Sequence, residues 1–111
     1  MGIVSEVKIN QACIDACTKC AQACFECYSA CLNEEDVHSR TEHIKMLMEC
    51  ALMCQHSVML MATNSPTAVD HCKQCGEMCQ ECADGCNGFD EDHCKKCAKI
   101  CETCANECNN M

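Results

Sequence analysis

Cysteine holds the positions that an apolar seam would hold in an ordinary helical protein, and it recurs at helical intervals. From Cys13 the steps run 4, 3, 4, 3, 4 through Cys17, Cys20, Cys24, Cys27 and Cys31. Two later runs, Cys72, Cys75, Cys79, Cys82, Cys86 and Cys94, Cys97, Cys101, Cys104, Cys108, both step 3, 4, 3, 4. Alternating threes and fours keep side chains on one helix face and average 3.5 residues, the repeat of a seam packed in a bundle. The segment between these runs has only Cys50 and Cys54. It still carries one stripe through His43, Leu47, Cys50, Cys54, Ser57 and Met61. This patterning predicts four helices, over roughly 5–32, 39–62, 66–87 and 91–109.

Turn-forming residues fall between the runs. Asn33, Glu34, Glu35 and Asp36 separate the first helix from the second, and Thr63-Asn64-Ser65-Pro66 the second from the third. Ser65 before Pro66 predicts an N-cap followed by a proline in the first helical position. Asn87-Gly88-Phe89-Asp90 predicts a glycine stop and a restart, with Asp90 and Asp92 capping the fourth helix and opposing its dipole. Connections this short make successive helices antiparallel. The predicted fold is all-α, an antiparallel up-down four-helix bundle with a cysteine-lined core, forming one domain over residues 1–111.

Composition makes that core unusual. Of 111 residues, 18 are cysteine, far above the roughly 8–10% at which a short chain is cysteine-dominated. Reduced cysteine can act as a small buried hydrophobe. It buries less area than the Leu, Ile and Val of a usual bundle, so thiols alone leave a thin core. Eight Lys and Arg against 17 Asp and Glu give a net charge of −9, which repels phosphate backbones. Phe25, Tyr28 and Phe89 are the only aromatic residues besides histidine, too few for a base-stacking surface. Nucleic acid is therefore not an expected partner. No segment approaches the roughly 18 apolar residues of a membrane span, and Met1 to Gln11 lacks a cationic stretch followed by an apolar one. The expected location is the cytoplasm, where cysteines stay reduced and a disulfide framework is not the resting state.

The thiols narrow the ligand. Residues three or four apart on a helix have Cβ atoms about 5–6 Å apart, too far for a disulfide, which needs about 3.5–4.5 Å. A metal ion between two sulfurs relaxes that mismatch. Sulfur-only sites suit Cu(I), Zn(II) and iron–sulfur clusters. Four-thiolate zinc sites would each carry a −2 charge into a dry core, at a cost of several kcal/mol. One Cu(I) per thiolate is neutral, and two or three sulfurs suffice for each ion. Iron–sulfur clusters need inorganic sulfide and usually shorter cysteine steps in a loop. Charge and geometry favour copper(I), with multiple ions per chain.

The phased pattern CxxxCxxCxxxCxxCxxxC at Cys13–Cys31, with CxxCxxxCxxCxxxC at Cys72–Cys86 and again at Cys94–Cys108, resembles the cysteine-rich four-helix-bundle copper storage proteins of the cytosolic type. The resemblance extends from about Asn10 to Cys108. It implies a bundle filled with many Cu(I) ions bound by cysteines along its core, and often a homotetramer of bundles. The expected function is storage, sequestration and detoxification of copper as part of metal homeostasis, with copper ions as the partner. A metallothionein-like zinc or mixed-metal buffer, and an iron–sulfur or thiol redox protein, are the alternatives. No nucleophile-and-base arrangement is visible, and the CxxC pairs lack the βαβ context of a redox fold. An enzyme is not expected.

Other soft or imidazole ligands join the cysteines as candidates. His43 and Met61 share the helical phase of Cys50 and Cys54, and a thioether suits Cu(I); most other methionines are read as core filler. His56 and His71 read as solvated. In an up-down bundle His38, His43 and His93 fall at one end, together with Glu34, Glu35, Asp36, Asp90, Glu91 and Asp92. Such an end could collect cations and pass them inward over Cys31, Cys86 and Cys94, with His93 as a further ligand. The other end, with Ile9, Pro66, Val69 and Met61, reads as a plug. Met48, Leu52 and Met59 lie on the opposite face of the second helix, and an apolar face turned from the core predicts a homo-oligomer contact there; the family resemblance implies that a tetramer is the favoured assembly.

Overall fold

The computed structural model describes residues 10–111. It contains α1 (Gln11–Leu32), α2 (Thr41–Ala62), α3 (Ala68–Cys86) and α4 (Asp92–Asn109), with a 3-10 turn at Val37–Arg40 ahead of α2. The predicted first turn of the first helix, and Ile9 of the predicted plug, lie outside the described residues. No strand occurs among those described. Each helix packs beside its neighbours in sequence, and α1 closes the ring against α4. That is the up-down arrangement short connections require.

Local chemistry sets the helix ends. Asn10 caps α1, its side chain accepting from the Cys13 N–H at 3.0 Å. At the end of α2 the Ser65 N–H reaches Leu60 O at 2.8 Å and the Asn64 N–H reaches Met61 O at 3.1 Å. This pair of bonds, with Asn64 at φ 54°, is a Schellman stop in which Asn takes the place usual for glycine. Ser65 Oγ accepts from the Thr67 N–H at 3.2 Å, as an N-cap would. Pro66 and Thr67 nevertheless form a turn, so regular helix begins only at Ala68.

Two expectations at the third connection are corrected. Gly88 does not adopt a left-handed conformation; α3 ends in a tight turn closed by the Gly88 N–H on Gly85 O at 3.1 Å. Neither Asp90 nor Asp92 is the cap of α4. Glu91 holds that position without a side-chain cap bond, because its carboxylate is committed to Arg40. Asp92 lies in the first turn of α4 and pairs with Lys96 at 2.9 Å, a placement that still opposes the dipole.

All eighteen cysteines are buried, none more than 2% exposed. Leu47 is the largest fully buried side chain, followed by the cysteines themselves. Ala21, Ala51, Ala83, Ala98 and Ala105 are buried alongside this sulfur axis. On α2 the whole stripe from His43 to Met61 faces inward. The core is thus cysteine flanked by alanine, with little of the branched aliphatic packing that fills most bundles.

Candidate metal centre

Every cysteine is a free thiol, and their sulfurs approach one another repeatedly across helices. Cys13 and Cys17 of α1 meet Cys108 of α4 at 3.6 and 3.7 Å. Cys104 meets Cys17 at 3.6 Å and Cys54 of α2 at 3.9 Å. Cys54 lies 3.6 Å from Cys79 of α3, and the thread continues through Cys20 and Cys101 to Cys24 and Cys82. These contacts arise because the 3,4 spacing turns each helix's thiols to the same axis.

Two sulfur triangles stand out. Cys20, Cys50 and Cys79 come from three helices, with edges of 4.0, 3.9 and 3.8 Å. Cys54, Cys75 and Cys79 form a second, with edges of 3.7, 3.6 and 3.9 Å. The centre of such a triangle is about 2.2 Å from each sulfur, the edge divided by √3, close to a zinc–thiolate bond of about 2.3 Å. The helices therefore hold the sulfurs at metal-bonding distance. The triangles share Cys79. Likewise the four-sulfur groups Cys20/Cys24/Cys50/Cys101 and Cys20/Cys50/Cys54/Cys79 share Cys20 and Cys50. Overlapping sites suit an ion satisfied by two or three bridging sulfurs better than one demanding four of its own.

The histidine end is built differently. Cys27, Cys31 and Cys94 form a group with His93, whose Nδ1 is 3.4 Å from Cys27 Sγ and 3.5 Å from Cys94 Sγ. The other ring nitrogen meets Glu34 Oε1 at 3.2 Å, so His93 spans from the acidic connection to the thiols. Burial pushes the Cys94 thiol up to about 11, with Cys31 beside it adding to the rise. Near the opposite end burial likewise pushes Cys72 up to about 11. Both are protonated at neutral pH, as neutral thiols in a dry core should be.

His43 Nε2 lies 3.3 Å from Cys86 Sγ, while its Nδ1 is buried with no hydrogen-bond partner. Burial is the main cause that lowers its pKa, leaving a neutral imidazole. Gly85 makes room for the ring: a Cβ there would come within 2.9 Å of Nδ1. Of the remaining candidates, His38 is exposed in the 3-10 turn, apart from any of these groups. Met61 is buried at the far end of α2. His71 is half-buried rather than freely solvated, with Nε2 3.2 Å from Met53 O and its ring 4.3 Å from that of His56.

The acidic mouth is more neutralised than its sequence implies. Asp92 pairs with Lys96, and Asp36 and Glu91 share Arg40, while Glu34 is held by a hydrogen bond to the His93 ring. Arg40 is the residue that sequence reasoning missed. It belongs to no cysteine stripe, yet its side chain is only 3% exposed. The four-residue spacing from Asp36 to Arg40 was the one available signal.

A four-helix bundle threaded by free thiols at bonding distance is, as a class, a soft-metal-binding bundle. The copper storage protein family model matches residues 6–111, and the chain belongs to that family. An uncharacterized cysteine-rich protein of Bacillus subtilis, YhjQ, is 40% identical over 73% of this chain and 75% of its own length. Among solved structures, Cu(I)-bound copper storage protein BsCsp3 is 40% identical, covering 91% of this chain and 95% of its own, with a TM-score of 0.87. A cytosolic copper storage protein from Streptomyces lividans, solved with five coppers, is 31% identical, covering 90% and 88% at a TM-score of 0.85. Among the described residues no helix is long and apolar enough to cross a membrane.

Proposed function

We propose that this chain stores Cu(I) in the cytosol, taking up many ions along the bundle axis, roughly one per thiolate. The observation that carries this reading is the thread of buried free thiols whose sulfurs lie 3.6–4.0 Å apart across all four helices. Each ion replaces a thiol proton, so the filled core stays neutral while the surface keeps its −9. The ligands are the eighteen cysteines, with His43 and His93 serving at the acidic end and Met61 at the other. Residues 1–111 act as one storage unit. Its role is sequestration, with no catalytic step assigned to it.

Charge argues against a zinc buffer, since four-thiolate zinc sites would bury net negative charge in the dry core, whereas one Cu(I) per thiolate leaves it neutral. The same chain self-associates through the face of α2 bearing Met48, Leu52 and Met59. Leu52 is 52% and Met59 49% exposed, values that a partner would reduce, and a tetramer is the favoured assembly. Anaerobic titration of the reduced protein with Cu(I) against a competing chelator tests the storage reading. Binding should continue to roughly one ion per thiol. Saturation at four or five ions, or preferential retention of zinc, would exclude it.

A further inference from the structure

Resting on the copper-storage reading, the geometry points to Arg40 as a lid over the outermost thiols, an uptake-limiting residue whose guanidinium must withdraw before the end of the core accepts a cation. Arg40 precedes α2, and its side chain turns inward across the end of the bundle. Nε meets Asp36 Oδ1 at 2.6 Å and one terminal nitrogen meets Glu91 Oε1 at 2.7 Å. That same nitrogen stands 3.9 Å from Cys31 Sγ and 3.8 Å from Cys94 Sγ. The guanidinium also lies over the Phe89 ring, 4.3 Å from its centroid.

These contacts tie both acidic connections together over two sulfurs of the His93 group. Cys31 and Cys94 are fully buried, and Arg40 occupies the space beside them. A cation binding at those sulfurs meets a fixed positive charge less than 4 Å away, which repels it at close range in a partly dry site. Charge-assisted bonds to two carboxylates hold the fork in place, so opening requires a local, low-population excursion. The carboxylates are at once the cation-attracting groups of the mouth and the anchors of its lid.

The test uses the full-length reduced apo protein and a neutral thiol reagent, N-ethylmaleimide, with the modified cysteines located by peptide mass spectrometry. Arg40→Gln should speed modification of Cys31 and Cys94 by roughly tenfold, while thiols deeper on the axis change little. The paired variant Asp36→Asn/Glu91→Gln, which keeps Arg40 but frees it, should act in the same direction. Stopped-flow Cu(I) uptake should show a faster first phase in Arg40→Gln, with total capacity unchanged; the paired variant also removes two cation-attracting carboxylates, so its neutral-reagent thiol rates alone score the lid. Circular dichroism checks helicity, and if Arg40→Gln loses it, the paired variant decides. Unchanged or slower modification of Cys31 and Cys94 in the folded variants overturns the lid. Low copper capacity in the wild type would overturn storage instead, and the thiol rates would still score the lid.

Discussion

His93 reaches Cys27 across the α1–α4 interface, Nδ1 to Sγ 3.4 Å, although the two residues stand 66 positions apart. Because its other nitrogen holds Glu34, the ring forms a continuous polar path from an acidic connection to the first sulfurs. His43 makes the equivalent approach to Cys86 on the other side of the same end. An imidazole can take a copper ion before thiolates, the softer ligands, bind it more tightly.

Replacing His43 and His93 together by Ala should therefore slow Cu(I) uptake severalfold, because the relay ligands ahead of the thiols are gone, and leave the final number of ions almost unchanged. Stopped-flow kinetics and equilibrium titration measure the two quantities separately. Wild-type rates with wild-type capacity would mean that ions enter elsewhere.

The reduced apo protein should be helical, because protonated thiols are neutral and tolerate burial. Far-ultraviolet circular dichroism in the presence of a chelator checks this. A coil spectrum that becomes helical only with copper would show metal-coupled folding of the zinc-finger kind.

Apo stability should be highest between about pH 6.5 and 9. Cys72 and Cys94 have folded values raised by burial from 9.0 to about 11. The unfolded chain loses those protons first, so stability falls as pH rises from 9 towards 11. His43 is lowered from 6.5, chiefly by burial. The unfolded chain takes up that proton more readily, so stability present above 6.5 is lost as pH falls. Glu91, held down at about 2 by Arg40 against an ordinary 4.5, adds a further loss between those two values. Thermal midpoints of the apo protein across this range provide the measurement, and a midpoint that rises on acidification below 6.5 would contradict the account.

Leu52→Glu/Met59→Glu should convert an assembled wild type to monomers in sedimentation velocity, because charges placed in an apolar contact lose water without gaining a partner. Copper capacity should hardly change, since both side chains lie off the axis. A wild type that sediments as a monomer at micromolar concentration would remove the interface.

Gly85→Ala should destabilise the apo bundle by about 1 kcal/mol. The added methyl meets the His43 ring at 2.9 Å, an overpacking cost of about 1–3 kcal/mol, partly offset by the roughly 1 kcal/mol that alanine gains over glycine in a helix. Denaturant unfolding followed by circular dichroism measures the difference. A stabilised variant would show that the ring moves aside freely.

The ladder of threes and fours in Cys13–Cys31, Cys72–Cys86 and Cys94–Cys108 determined the helices, their inward faces and the soft-metal chemistry. Each depends on local periodicity and on side-chain type, which a chain carries before it folds. The stripe from His43 to Met61 was legible for the same reason, even with only two cysteines in it. Helix starts were less so: Ser65 makes its cap bond, yet the Pro66–Thr67 turn delays α3 to Ala68.

Tertiary structure alone decided which sulfurs form triangles, because Cys20, Cys50 and Cys79 meet only when three helices close around one axis. It also decided the fate of charge at the mouth. The acidic residues read as a cation collector, but the folded connections bring Asp36 and Glu91 onto one guanidinium and turn Arg40 inward over Cys31 and Cys94. No local rule buries an arginine. Burial became tolerable only when two carboxylates and the Phe89 ring, from separate connections, converged to replace the water it gave up.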